Sequence, residues 1–197
     1  VLDYGCGTGL IALQLQPQVK SVCGADSSPA MIAVLQDKIA TLKPGNVSTQ
    51  LVDFEKGAHA SGEYDLIVSS MVTHHIPDTA ALLREWKRLL RPRGQIAFAD
   101  LDAEDGAFHG DNTGVFHLGF DRAKLRELLL AGGYTDVRDT TATVVRKEVD
   151  GKPREQNFKE LLQEYVRHRV TVIQRRTQFL LAKARRNADM NGADTDL

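Results

Sequence analysis

The first nine residues combine a short apolar strand with a turn that has glycine at every second position. They read Val-Leu-Asp-Tyr-Gly-Cys-Gly-Thr-Gly, and the apolar run Leu10–Leu15 follows directly. Alternating glycines allow a backbone to turn sharply and to come close to a ligand. A helix after such a turn presents unpaired N–H groups and the positive end of its dipole to the same place. The sequence therefore predicts a strand–turn–helix unit with a ligand site at the turn.

The acid ahead of this turn indicates which ligand the site would hold. Asp3 lies two residues before Gly5, where its charge would repel a pyrophosphate and attract an ammonium group. The third glycine is Gly9, and Leu10 stands where the dinucleotide pattern G-x-G-x-x-G requires glycine or alanine. This combination favours a nucleoside that carries an amino acid, such as S-adenosylmethionine, over a dinucleotide such as NAD.

Three further apolar segments read as strands. They are residues 21–25, 47–52 and 64–70, and the last is the near-continuous apolar run of a strand buried on both faces of a parallel sheet. Asp26 and Ser27 follow the first of them, about 20 residues after the glycine turn, where an acid binds ribose hydroxyls in βαβ units. Asp53 and Phe54 follow the second. The sequence thus predicts a row of ligand-binding groups at strand ends.

Helices alternate with these strands. Residues 29–42, 79–90 and 122–131 carry apolar residues at helical spacing, and Ser28, Asp78 and Asp121 precede them as N-caps. The pattern predicts a parallel sheet with right-handed crossovers, in which ligands bind at the carboxyl ends of the strands.

Four spaced blocks make the chain similar to the class I S-adenosylmethionine-dependent methyltransferases, in particular the type 11 group with small-molecule acceptors. The blocks are residues 1–9, 22–31, 51–54 and 64–78; a fifth, 86–100, fits the helix, turn and strand that follow in that family. The resemblance covers residues 1 to about 149. It implies an α/β fold with a doubly wound, mostly parallel, seven-stranded Rossmann-like sheet whose last strand is antiparallel. It also implies S-adenosylmethionine as cofactor and methyl transfer as activity.

The resemblance implies roles for the residues of the first two strands. The methionine part of the cofactor would be held by Asp3 and by the backbone of the turn, namely Gly5, Cys6, Gly7 and Gly9. Asp26 would accept both ribose hydroxyls, with Ser27 beside it. Asp26 could instead cap the next helix, although Ser28 with Pro29 at the first helical position is the better cap.

Roles for the third and fourth strands follow in the same way. Asp53 would accept from the adenine amino group, while Phe54 would supply a backbone N–H and an apolar wall. Ser69 and Ser70 would line the floor near the transferable methyl group. In the alternative, Asp53 is a plain strand-end acid and the two serines are ordinary turn residues.

Residues 100–121 are predicted to select the acceptor because they follow the fifth strand. They hold no Lys or Arg, and their six acids are Asp100, Asp102, Glu104, Asp105, Asp111 and Asp121. Phosphate and nucleic acid bind through Lys and Arg, so the segment favours a neutral or cationic small molecule and disfavours nucleic acid. The alternative is a solvated acidic surface loop.

A general base is needed only if the acceptor arrives protonated, because transfer from a sulfonium depends mainly on alignment. The candidates are His74, His75, His109 and His117. We select His109 as the catalytic candidate, because a neighbouring carboxylate would orient it and raise its pKa. His75 reads as part of the site architecture.

The C-terminal part departs from the family pattern. Residues 136–149 read as a strand and 150–153 as a turn, but residues 155–176 read as a helical insertion before a last strand at 177–183. We predict one methyltransferase domain over residues 1–186 and a disordered tail over 187–197. Residues 152–186 carry a net charge of +7, against −5 for residues 1–151. A nucleic-acid- or protein-directed methyltransferase that uses the basic segment therefore stays an alternative, as does a non-catalytic binding module.

The remaining composition excludes several classes. No apolar run approaches the roughly 18 residues of a membrane span. The chain has two cysteines, Cys6 and Cys23, and no Cys/His cluster with zinc spacing, so we expect neither a disulfide framework nor a metal site. A reducing, cytoplasmic compartment fits this composition. The sequence indicates no oligomeric state.

Overall fold

A seven-stranded sheet organises the protein. In a computed structural model, residues 1–103, 112–144 and 178–186 are described, with the backbone alone for 143–144 and 178–186. The strands are β1 Leu2–Tyr4, β2 Val22–Asp26, β3 Val47–Leu51, β4 Tyr64–Ser70, β5 Leu90–Leu101, β6 Tyr134–Val144 and β7 Gln178–Arg186. The helices are α1 Leu10–Leu15, α2 Pro29–Leu42, α3 Thr79–Leu89 and α4 Arg122–Ala131.

The strand order is β3-β2-β1-β4-β5-β7-β6. The pairs from β3 to β5 are parallel, while β7 lies between β5 and β6 and is antiparallel to both. The chain thus winds outward from β1 in both directions, which brings the carboxyl ends of β1 and β4 together at the centre of one edge. The predicted doubly wound α/β sheet is confirmed.

The helices begin where the sequence predicts. The Ser28 hydroxyl accepts from the Met31 amide at 3.3 Å, the Asp78 carboxylate from Ala81 at 2.8 Å, and the Asp121 carboxylate from Lys124 at 2.9 Å. Each bond satisfies an amide that the first helical turn leaves without a partner.

The main core lies between the sheet and α3. Trp86 is fully buried, and its ring meets those of Tyr4 and Phe98 edge to face at centroid distances of 5.7 and 5.6 Å. The hydroxyl of Tyr134 donates to the carbonyl of Leu83 at 2.7 Å, which ties β6 to α3. A smaller cluster on the α2 side contains Cys6, Ile32 and Leu35.

The predicted turn after α3 is a bulge inside β5. Tyr64 pairs with Leu90 and Leu66 with Gln95, so four residues of β5 oppose one residue of β4. Arg93 adopts a φ of +64° within the bulge. The helix therefore ends at Leu89, and the prediction that it includes Leu90 is wrong. Residues 91–94, which contain Pro92 and Gly94, form a bulge within the strand and do not form a separate loop between α3 and β5.

Two predictions lie outside the described residues: the helical insertion at 155–176 and the disordered tail at 187–197. The last strand lies at Gln178–Arg186, three residues longer at its C-terminal end than the predicted 177–183. Within the described residues, no helix has the length and apolarity needed to cross a membrane.

Candidate functional site

The glycine turn is fixed to the end of β2. The amides of Gly5 and Cys6 both donate to the Ala25 carbonyl, at 2.7 and 2.9 Å. The amide of Gly7 donates to Oδ2 of Asp26 at 2.7 Å. A Cβ at Gly7 would meet nothing within 4 Å, so the backbone can be approached closely there. The turn therefore presents an open backbone surface beside the acid at the tip of β2.

Asp26 keeps the capacity to bind a diol. Its Oδ1 accepts from the Ser28 amide at 2.9 Å, and its Oδ2 accepts from Gly7. The side chain is half-buried, and each carboxylate oxygen can accept a second hydrogen bond. Ser27, next to it, is exposed. The structure thus gives Asp26 a role in shaping the turn, and this role is compatible with ligand binding.

Asp3 lies beneath the turn. It is 1% exposed, and its Oδ2 accepts from the Ala12 amide of α1 at 2.9 Å. Oδ1 is buried and has no hydrogen-bond partner among the described residues. Burial raises the pKa of Asp3 to about 7, an effect that the Ala12 hydrogen bond opposes and the charge of Asp26 increases. A cation near this carboxylate would supply the missing interaction.

Cys6 takes part in the turn through its backbone. Its side chain is 7% exposed and packs with Ile32 and Leu35 of α2. Burial raises the pKa of the Cys6 thiol well above its ordinary value. The thiol therefore serves as a packing group of this cluster.

Asp53 and Phe54 begin a closed loop after β3. The Asp53 carboxylate pairs with the Lys56 ammonium at 2.7 Å, and this hydrogen bond lowers the pKa of Asp53. Asp53 and Ala58 exchange two backbone hydrogen bonds of 2.9 Å. The carboxylate of Asp53 is thus engaged with Lys56 in the structure, which its assignment from the family does not anticipate.

Ser69 has an internal partner. It is 3% exposed, and its hydroxyl donates to the Tyr4 carbonyl at 2.7 Å. This bond holds the ends of β1 and β4 together. Of the predicted cofactor residues, Asp26 is therefore hydrogen-bonded to the glycine turn, Asp3 to the first turn of α1, and Ser69 to the end of β1.

Two of the acids in residues 100–121 differ from the expectation of an acidic acceptor loop, and the first of them lies within β5. Asp100 is fully buried and accepts from the imidazole Nδ1 of His74 at 2.6 Å. Asp102 forms a two-bond ion pair with Arg122, and Asp121 caps α4. Asp100 and Asp102 thus have partners within the protein, whereas Asp121 is exposed and lies at the cavity described below. His109, Glu104, Asp105 and Asp111 lie outside the described residues.

Sequence reasoning missed the His74–Asp100 pair. The amides of Phe116 and His117 donate to the His74 carbonyl at 3.0 and 3.2 Å, so the pair also anchors the segment that returns toward α4. Nδ1 of His75 donates to the Gly114 carbonyl at 2.8 Å. The prediction that His75 belongs to the architecture of this region agrees with that contact.

An open cavity of about 610 Å³ lies between the first turns of α3 and α4. Its lining includes Thr79, His117, Phe120, Lys124 and Leu128. Nε2 of His117 donates to the Ile76 carbonyl at 3.0 Å, so this ring has a partner within the protein. In the described part of the chain, no three His, Cys, Asp or Glu side chains are arranged to hold a metal ion.

Comparison with known proteins decides the family. The model of a methyltransferase domain family matches residues 1–165. The chain belongs to this methyltransferase family. Its curated relatives include an uncharacterized methyltransferase of Schizosaccharomyces pombe, 33% identical over 118 residues that cover 56% of this chain and 42% of the relative. They also include the ubiquinone biosynthesis O-methyltransferase of Sodalis glossinidius, 31% identical over 111 residues, 55% of this chain and 43% of the relative.

Solved structures with the same fold cover nearly the whole methyltransferase domain. The YcgJ protein from Bacillus subtilis has a TM-score of 0.71 at 18% identity, over 94% of this chain and 91% of that one. The phosphoethanolamine N-methyltransferase 2 of Haemonchus contortus, in complex with S-adenosyl-L-methionine, has a TM-score of 0.69 at 17% identity, over 94% and 48%. The complex with S-adenosyl-L-methionine supports this compound as the methyl donor of the family. This chain spans less than half the length of the two curated relatives.

Proposed function

We propose that this chain transfers a methyl group from S-adenosylmethionine to an oxygen or nitrogen of a small-molecule acceptor. The observation that carries the proposal is the pair of carboxylates on either side of the glycine turn. Asp26 accepts a hydrogen bond from the turn, and Asp3, just ahead of the turn, has a buried oxygen with no partner among the described residues. Membership of the methyltransferase family supports this assignment.

The residues present fit such a cofactor. Asp26 would bind the ribose diol, and the open backbone at Gly7 would approach the methionine part, whose ammonium Asp3 would balance. Asp53 and Phe54 would meet the adenine, which requires Asp53 to share its carboxylate between Lys56 and the amino group. Bound S-adenosylmethionine supplies an electrophilic methyl on a sulfonium, and the chain's own residues orient and desolvate the reacting groups.

The acceptor class rests on the names of similar proteins. One relative is named for O-methylation in ubiquinone biosynthesis, and one solved structure of the same fold is named for N-methylation of phosphoethanolamine; both are reactions of small molecules. Because Asp100 and Asp102 are paired internally, we assign no charge preference to the acceptor.

Replacing Asp26 with alanine is expected to weaken S-adenosylmethionine binding by about 1.5–3 kcal/mol, the scale of hydrogen bonds to a charged group. The variant also loses the contacts to Gly7 and Ser28, so its stability is expected to fall by about 1 kcal/mol while it stays folded. Isothermal calorimetry with S-adenosylmethionine, with NAD as the competing candidate, measures the affinity of each variant.

Asp37→Ala is the matched control, since it removes an exposed carboxylate of the neighbouring helix α2. We expect it to bind as the parent does. Equal affinities in the parent and in Asp26→Ala, both measured well below the melting temperature, would refute the ribose assignment. Preferential binding of NAD by the parent would refute the cofactor itself.

A further inference from the structure

A buried carboxylate on α3 holds the loop that follows β3. Glu85 is 7% exposed, and its two oxygens accept from Nη2 and Nε of Arg88 at 2.7 and 2.9 Å. The same Nη2 donates to the carbonyl of Ala60 at 2.7 Å. Nδ1 of His59 lies 3.3 Å from Oε1 of Glu85. Two residues of the loop, His59 and Ala60, thus contact the Glu85–Arg88 ion pair of α3.

The loop held in this way carries the proposed adenine contacts. Asp53 and Ala58 exchange backbone hydrogen bonds and close it. The ring of Phe54 meets the ring of His59 edge to face, with centroids 5.6 Å apart. Ala60 is 2% exposed and belongs to the core on the α3 side of the sheet. His59 and Ala60 therefore link the loop to Glu85 and Arg88 of α3.

We propose that Glu85 and Arg88 are positioning residues for the adenine end of the cofactor site. The proposal rests on the proposed function. The pair acts through His59 and Ala60. An exposed ion pair three residues apart on a helix contributes little to stability. This pair differs because Glu85 is buried and because Arg88 also binds the backbone of a segment 28 residues earlier.

Positioning and simple stabilisation predict different measurements. If the pair only stabilises the fold, its loss lowers the melting temperature and leaves the affinity of the folded protein unchanged. If it positions the loop, its loss weakens every ligand that contains adenine. The weakening is then the same for ligands with and without the amino-acid end, because the proposed function assigns that end to the glycine turn and the adenine to this loop.

Glu85→Gln tests the proposal, because glutamine keeps the size of the side chain and offers Arg88 one neutral acceptor. The probes are S-adenosylhomocysteine and 5′-methylthioadenosine, which lacks the amino-acid end, and calorimetry is performed well below the melting temperature. We expect both dissociation constants to rise by the same factor, about three- to tenfold. Arg88→Lys keeps the charge but lacks the second nitrogen that donates to Oε2 of Glu85, so we expect a smaller loss.

Arg84→Ala is the control on the same helix. The Arg84 side chain is 66% exposed, and its ion pair with Asp78 is long, at 3.9 Å. We expect parental affinities for it. If Glu85→Gln does not fold, His59→Ala replaces it in the test, because the His59 side chain is half-exposed and its loss should be tolerated. We expect both dissociation constants to rise in this variant too, by a smaller factor. Unchanged affinities in these loop-directed variants, or a loss confined to S-adenosylhomocysteine, would overturn the proposal.

Hydrogen exchange separates this inference from the proposed function. Without any ligand, the Ala58 amide is expected to exchange faster in Glu85→Gln than in the parent and in Arg84→Ala. If the parent binds neither probe, the proposed function fails. If the Ala58 amide exchanges at the same rate in Glu85→Gln as in the parent, the link between α3 and the loop is refuted as well.

Discussion

Replacing Asp100 with alanine is expected to lower the free energy of unfolding by about 3–5 kcal/mol, because three buried hydrogen-bond donors lose their acceptor at a cost of about 1–3 kcal/mol each. Asp100 and His74 are both fully buried and 2.6 Å apart. The carboxylate also accepts from the backbone amides of His74 and Leu101, at 3.3 and 2.8 Å. Alanine leaves these donors buried without their acceptor. Denaturant unfolding of parent and variant measures the difference.

Asp65→Ala provides the comparison, because Asp65 forms an exposed ion pair with Arg91 at 3.1 Å. We expect a change within about 1 kcal/mol there. A double-mutant cycle with His74→Phe tests whether the cost comes from the pair, because two coupled residues then give a total smaller than the sum. A loss below about 1 kcal/mol in Asp100→Ala would show that the pair contributes little to the fold.

The helices and the order of elements could be predicted because their signals are local. Ser28 followed by Pro29 marks the start of α2, and Asp121 with Gly132 marks both ends of α4. The bulge at 91–94 could not be predicted in the same way. Its turn residues are compatible with a loop, and only the pairing of Tyr64 with Leu90 keeps the segment in β5.

The candidate site was predicted at the level of positions and not of partners. Acids at the ends of strands are visible in the sequence, so Asp3 and Asp26 could be selected. The partner of Asp100 lies 26 residues earlier in the chain, and the adjacency of β4 and β5 alone brings the two residues together. No spacing rule predicts such a contact.

Glu85 illustrates the same limit on a helix. Its spacing to Arg88 is typical of a solvated surface pair. It is buried because the loop after β3 crosses to the face of the sheet that α3 covers, where Ala60 joins the core. That path depends on tertiary packing, so amphipathic periodicity could not indicate it.

Replacing Asp3 with asparagine is expected to change how stability depends on pH. The pKa of Asp3 is raised from 3.8 to about 7, chiefly by burial. The folded protein therefore holds the proton more tightly than the unfolded chain does. The resulting contribution to stability is full below pH 3.8 and is lost as the pH rises to about 7. Linkage gives a loss of about 4 kcal/mol over this range, and asparagine, which does not titrate, removes it.

Unfolding of the parent and Asp3→Asn between about pH 4 and 8 measures this difference, with Asp37→Asn as an exposed control on α2. We expect the parent to lose stability relative to Asp3→Asn as the pH rises, and the control to follow the parent. A ligand ammonium beside Asp3 would favour the ionised carboxylate. We therefore expect S-adenosylhomocysteine to bind the parent more tightly as the pH rises through about 7, and we expect no such rise in affinity for Asp3→Asn. A stability difference that is constant with pH would contradict the raised pKa. If the affinity of Asp3→Asn still rises with pH, the trend comes from another titrating group, because this variant lacks only the Asp3 carboxyl group beneath the glycine turn.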